Sequence, residues 1–403
     1  MAIRWLKNSR QSMQRLGFLN AIVIYHNQAR NAKQMSTLIY SELEKKTFKI
    51  AFKESYSNWP VPLSGYMTKE NDIEISLQRY YIYNHPSHSG WLFDVGVHEY
   101  INYMPVQLGI CNDKYELTQM GTALLTGLLT SQEIEAFKSI SDVNPFIFEV
   151  PQQIYFLYNL LRADGDFLIP FYRLLIEQFG SKPFDYLQAG NVLYKASLEV
   201  LDNFRFSLNT RVDRAIWKDL ENASKTVRDN IEKEKQKEGS SSRREHLTIT
   251  RMEWLVDLGI AIHVDTRVWK FTEIGLQLKV IADTYKNMKG YPENRVTTLL
   301  DSQFYLHALK SYSGQTKQFQ IIGVDEFLPF IRTSYNIIAP AGGYVQLRPL
   351  ILLANIKSIG NSEKQFVDWE HAVEYLEYNF QKDSGLLHYT ITRFNDDYQV
   401  TLF

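Results

Sequence analysis

Two ten-residue stretches of this chain repeat one another, and the repeat restricts the fold more than any other feature. Tyr115-Glu116-Leu117-Thr118-Gln119-Met120-Gly121-Thr122-Ala123-Leu124 matches Trp269-Lys270-Phe271-Thr272-Glu273-Ile274-Gly275-Leu276-Gln277-Leu278. The shared pattern is an aromatic, any residue, Leu or Phe, Thr, Gln or Glu, Met or Ile, Gly, any two, Leu. Upstream, Leu108-Gly109-Ile110 matches Leu258-Gly259-Ile260. The glycine spacing is 12 in the first copy (109 to 121) and 16 in the second (259 to 275), a difference that belongs in a loop.

Each copy reads as the same local structure. A helix ends at Leu-Gly, where glycine adopts the left-handed C-terminal position at no steric cost. A strand leaves, turns at Asn112-Asp113 or at Val264-Asp265-Thr266-Arg267, and a second strand returns. Thr118 or Thr272 then caps a new helix, its hydroxyl meeting orphan N–H groups. The Gly and Leu that follow face inward. Ahead of the second copy, Thr250-x-x-Glu253 is a capping-box pattern that predicts a helix start there, with Met252, Leu255, Val256 and Leu258 as apolar positions. Tyr344 to Leu350 is a degraded third echo without the Thr and Gly.

Helix, hairpin, helix is the tail of a winged-helix unit. The motif resembles the winged-helix modules of bacterial regulators, and especially the recognition regions of type IIS-like restriction and bacterial defence proteins. The resemblance implies tandem units that lay one helix in the major groove and the hairpin on the backbone. On that reading the groove helix begins at Thr250 with Arg251 in its first turn. Arg243 and Arg244 precede it on the linker, Arg267 sits at the hairpin tip, and Lys270 lies on the returning strand. Five cations would neutralise several phosphates and give a steep salt dependence. Glu245, Glu253, Asp257, Asp265 and Glu273 dilute that face. The first copy offers only Lys114, beside Asp113 and Glu116, and reads as structural or partner-binding.

Charge and composition set the remaining bounds. Lys plus Arg number 44 against 45 Asp plus Glu, which excludes a histone-like polycation but not a local basic face. Residues 1–60 carry ten basic and three acidic residues, net +7, leaving −8 for the rest. Lys45, Lys46 and Lys49 belong to this region, which is either a solvated helix face or an anion-facing patch. A 45% hydrophobic, 22% charged chain is globular, not disordered. The 25 Tyr, 23 Phe and 7 Trp read mainly as packing between helical modules, with base stacking as the other use. Cys111 is the single cysteine, so no internal disulfide and no cysteine-based zinc site can form. A reducing, cytoplasmic setting is expected. No apolar run reaches membrane-spanning length, and the early basic residues lack the apolar core of a secretory signal, so no membrane partner is expected.

Along the chain, Phe146 to Leu161 reads as helix, Ala163-Asp164-Gly165-Asp166 as its break, and Phe171 to Phe179 as a second helix stopped by Gly180-Ser181-Lys182-Pro183. Residues 211–238 are charge-rich and helical. Gly239-Ser240-Ser241-Ser242 is the clearest linker. Near the end, Trp369 to Phe380 reads as helix. His388 to Thr392 and Tyr398 to Leu402 alternate around Phe394-Asn395-Asp396-Asp397, as in a hairpin. The expected fold is mainly α with short β-hairpins (α+β): tandem winged-helix units plus a helical domain. The expected divisions are 1–145, a basic helical region with the first unit; 146–238, helical; 239–290, the second unit; and 291–403, α+β.

The chemistry-bearing motifs are sparse. No nucleophile elbow, phosphate-binding loop or zinc-protease motif occurs. His85-Pro86-Ser87-His88 with Asp94, His98 and Glu99 is the best metal-like cluster, but Pro86 argues for a turn. Glu42, Glu44 and Lys46 offer an acid-x-Lys pattern in a stretch that reads as helix, not the strand a nuclease needs. No catalytic residue, metal or cofactor is therefore assigned. The expected function is a non-catalytic DNA-recognition or scaffold subunit of a bacterial restriction or anti-phage type complex. It would bind duplex DNA, with partner protein subunits supplying catalysis. A diverged metal-dependent nuclease and a pure protein–protein assembly subunit remain as alternatives.

Overall fold

A computed structural model of the chain describes residues 16–29, 104–136, 147–207, 242–314, 320–359 and 365–374 almost throughout, with 392–394, 397–400 and a few single positions such as Arg4. These residues are mainly helical, with a few short strands. No described helix is long and apolar enough to cross a membrane. The chain divides into two compact units: residues 1–16, 49–100 and 159–299, and residues 17–48, 101–158 and 300–403. The stretches read above as domains 146–238 and 239–290 both contribute to the first unit.

The first unit takes α1 (Val150–Phe179) from Asn159 onward, β1 (Phe184–Asp185), α2 (Tyr186–Ser207), α3 (Ser242–Asp257), β2 (Ala261–Asp265), β3 (Val268–Phe271), α4 (Glu273–Asn287) and most of α5 (Pro292–Ser302). The strands form one antiparallel sheet in the order β1-β3-β2, with Phe184 opposite Trp269 and Ala261 opposite Phe271. Its inner face is aromatic: Phe184 stacks on Phe179 at 4.9 Å, and Tyr172 meets Phe271 edge-on at 5.6 Å. Burying each such ring contributes about 2 kcal/mol. Asp185 caps α2, its carboxylate accepting the N–H groups of Leu187 (2.9 Å) and Gln188 (2.8 Å).

The expected break at Ala163–Asp166 does not occur: α1 is continuous and even carries Pro170 in its interior. The polar residues that suggest a turn have tertiary partners instead. Asp164 receives an arginine, Asp166 receives a backbone N–H and a tyrosine hydroxyl, and Gly165 gives Val296 the room a Cβ would take. The Thr250 helix start is also corrected. Helix α3 begins at Ser242, and Thr250 is fully buried in its middle. Ser242-x-x-Glu245, inside the serine run, carries the same helix-start pattern.

The repeated motif folds as its residues require. Gly259 sits at φ 68° at the end of α3, and Thr272 caps α4, its hydroxyl accepting the Gly275 N–H at 3.0 Å. The same hydroxyl donates to the Gly259 carbonyl at 2.7 Å, and the Thr272 N–H reaches the Ile260 carbonyl at 3.0 Å. Gly275 lies so close to that carbonyl that a Cβ would fall on its oxygen. In the second unit the first copy repeats these contacts. Gly109 is at φ 70°, Thr118 caps Gln119–Thr122, and Gly121 abuts the Ile110 carbonyl. Its hairpin is reduced to one bridge, Cys111 opposite Leu117. Burial pushes the Cys111 thiol up to about 12.

The second unit also holds α6 (Val324–Ile338), β4 (Val345–Gln346), α7 (Leu347–Ser358), β5 (Thr392–Phe394) and β6 (Asp397–Val400). Its antiparallel sheet has the order β4-β6-β5, so the expected C-terminal hairpin forms, with the expected positions 388–391 and 401–402 outside the described residues. The third echo is not a copy of the motif: its strand runs straight into α7 with no side-chain cap. Arg348 pairs with Asp301 at 2.7 Å and lies over the Trp369 ring at 4.9 Å. Asn355 pairs with both backbone groups of Val367, at 2.7 and 3.1 Å.

Gly275→Ala destabilises the protein by about 3 kcal/mol, because the added methyl meets a fixed carbonyl and not a yielding side chain. Urea denaturation measures this. A stability equal to the parent, or the gain that Gly→Ala gives in an open helix, would mean that the junction is looser than described.

Candidate nucleic-acid interface

Among the candidates whose side chains are described, Arg267 and Lys270 on the hairpin are half-buried, whereas Arg251 is buried. Arg267 holds a left-handed backbone at φ 57°, which costs a non-glycine residue about 1 kcal/mol. Its carbonyl accepts the Tyr186 N–H at 3.1 Å, and its half-buried guanidinium lies over the Tyr186 ring at 5.4 Å. The start of α2 thus anchors the tip. Lys270 lies opposite Ile262 on the outward face of the sheet, away from Trp269 and Phe271, and is half-buried. On the same hairpin Ile262 is 47% and Val264 51% exposed.

Arg251 is not at a surface. Its side chain is 1% exposed and is held by Asp164, itself fully buried, through a fork: Nε to Oδ2 at 2.8 Å and Nη2 to Oδ1 at 2.9 Å. This corrects the expectation of a base contact. With α3 beginning at Ser242, Arg251 falls in the helix's interior turns, facing α1. From Thr248 to Ile260 nearly every residue is buried, so this part of α3 offers no free face. Arg243 and Arg244 lie in the first turn of α3 and not on a linker. Lys45, Lys46 and Lys49 fall outside the described residues, as do the His85–Glu99 cluster and the Glu42–Lys46 pattern.

Two buried acidic groups brace the hairpin and α4. Glu253 accepts the Trp269 indole N–H at 3.1 Å, and His263 Nε2 lies 2.8 Å from the same oxygen, off the hydrogen-bonding axis. Asp166 accepts the Arg4 backbone N–H at 2.8 Å and the Tyr285 hydroxyl at 3.1 Å. Burial raises its carboxyl to about 6, against the lowering by Arg4 and Tyr285. Sequence reasoning missed this group, since its partners stand on α4 and near the N-terminus. Among the described residues no group of His, Cys, Asp and Glu could hold a metal ion. No family model, curated protein or solved structure matches the chain.

Arg251→Ala removes the buried fork that Asp164 accepts and costs about 3–5 kcal/mol. Replacing both by apolar residues of similar volume, Arg251→Met with Asp164→Leu, recovers most of it. Unfolding free energies of the three proteins decide; a harmless single substitution would show the pair to be solvated.

Asp166 has a raised folded pKa, so its carboxylate form opposes folding. That penalty is absent below the unfolded value near 3.8 and grows as pH rises through about 6. Asp166→Asn therefore loses the fall in stability that the parent shows between pH 4 and 6. Parallel thermal melts across that window test it, and identical profiles would rule out Asp166 as the titrating group.

Proposed function

We propose that the chain is a non-catalytic DNA-recognition or scaffold subunit whose duplex contact is led by the hairpin tip and the first turn of α3. The element order α1-β1-α2-α3-β2-β3 with sheet order β1-β3-β2 carries this reading, because it is the order of a winged helix. Arg267 adds to it. A non-glycine residue kept in a strained conformation at a hairpin turn is one mark of a working position, although Tyr115 of the first copy shares it. Arg243, Arg244, Arg267 and Lys270 are the phosphate-facing set; Arg251 is not among them. The helix face is not the reader here, so such contact positions the protein more than it reads sequence. The restriction or anti-phage setting and the catalytic partner subunits follow from the resemblance of the repeated motif.

A second reading, assembly on a protein partner through the same hairpin, is favoured by one observation: the exposure of Ile262 and Val264 beside Lys270.

Binding of a short labelled duplex, measured at several salt concentrations, separates the two. Arg267→Ala with Lys270→Ala lowers affinity at every salt and reduces the salt slope by about 2. An unchanged slope, or no duplex binding by the parent at low salt, would refute the duplex reading. Loss of a partner complex in Ile262→Ser with Val264→Ser would favour assembly.

A further inference from the structure

Two carboxylates stand two residues apart on α1 and are held in opposite ways. Asp164 takes the Arg251 guanidinium of α3. Asp166 is 1% exposed, and among the described residues it accepts from neutral donors. The Arg4 backbone N–H reaches Oδ2 at 2.8 Å, and the Tyr285 hydroxyl of α4 reaches Oδ1 at 3.1 Å. The Arg4 guanidinium is turned elsewhere, to the Arg162 carbonyl of α1 at 3.3 Å and to the Thr297 hydroxyl of α5. Helix α5 is packed closely on α1 here, with Val296 filling the room at Gly165. Arg4 therefore ties the chain to two helices, and of these three bonds the one on Asp166 ends on a titratable group.

The charges around Asp166 come from every element packed on it. Asp164 on α1 is a like charge, itself paired with Arg251 of α3. Arg4 is an opposite charge, and Arg295 of α5 acts on Tyr285. Twelve residues beyond Arg4, the Leu16 N–H donates to Asp257, the last residue of α3, at 2.6 Å. Two carboxylates of the first unit thus each accept a backbone N–H from this part of the chain.

A buried carboxylate bonded to neutral groups is costly to ionise. With the proton on, Asp166 can donate it to the Tyr285 oxygen while Oδ2 still accepts the Arg4 N–H, so the closed contact keeps both bonds. With the proton off, parting Arg4 from Oδ2 admits water to the charge. We propose that Asp166 is a proton-operated latch: neutral, it holds Arg4 on α1 and α5; ionised, it lets Arg4 go, while the Leu16 anchor on Asp257 stays. Burial raises the closed carboxyl from 3.8 to about 6. The closed contact is therefore complete below the lower value and loosens as pH rises through the upper one. The latch is independent of the duplex reading, since none of its groups belongs to the phosphate-facing set.

Amide hydrogen exchange of the full chain, resolved at Arg4 and Leu16, tests the latch. Comparing the two amides removes the ordinary rise of exchange with pH. In the parent the ratio of the Arg4 rate to the Leu16 rate climbs about tenfold or more between about pH 4 and about pH 7. In Asp166→Asn the ratio stays level, because the side-chain amide makes both bonds and does not ionise. A level ratio in the parent overturns the proposal whether or not the variant folds. So does a climb that persists in Asp166→Asn, or one matched by the buried Ile281 amide of α4, which would make Asp166 a group of the whole unit's stability and not a latch on Arg4.

Discussion

The ion pair between Asp164 and Arg251 is the constraint on which the first unit depends. Both charges are cut off from water, so removing either partner of the fork leaves the other's burial poorly compensated. The fork geometry fixes Arg251 in two directions and so locks the register of α3 against α1. Helix α3 then delivers Gly259, from which the hairpin leaves, and Thr272 returns the chain by gripping the carbonyls of Gly259 and Ile260. Nothing yielding stands between the buried pair and the hairpin: a packed helix end, a capped helix start, and a glycine pressed on a carbonyl.

The tip itself is held differently. Its backbone is strained at Arg267 and its strands shift register between His263 and Asp265. Tyr186 supplies both a hydrogen bond to the Arg267 carbonyl and a ring beneath its guanidinium, so the arginine is positioned at its backbone and along its stem. Ile262 and Val264 on the same hairpin are each about half exposed. They give the surface apolar area that a duplex backbone does not use, and this is why protein docking is the competing use of this element.

Much of this was legible in the sequence where the signal is local. Thr118 and Thr272, the paired glycines, and the turn before Val268 are each dictated by neighbours a few residues away, and they fold as the pattern requires. Where partners are remote, sequence reasoning failed. Asp164-Gly165-Asp166 has the composition of a turn, and only Arg251, Arg4 and Tyr285, brought in by the fold, keep it helical. Thr250-x-x-Glu253 has the form of a cap but sits inside a helix whose start lies in the serine run. Arg251 looked like a surface cation because nothing nearby announces its buried partner. In the second unit the hairpin around Phe394 was legible through its alternation, whereas Val345–Gln346, a two-residue strand, is too short to show any.

The most direct measurement places a photo-reactive amino acid at position 267, and separately at 251 and 374, and irradiates each protein with a labelled duplex. Cross-linking from 267 alone is the predicted result. Cross-links from 251, or from 374 and not from 267, would contradict a duplex contact led by the hairpin tip.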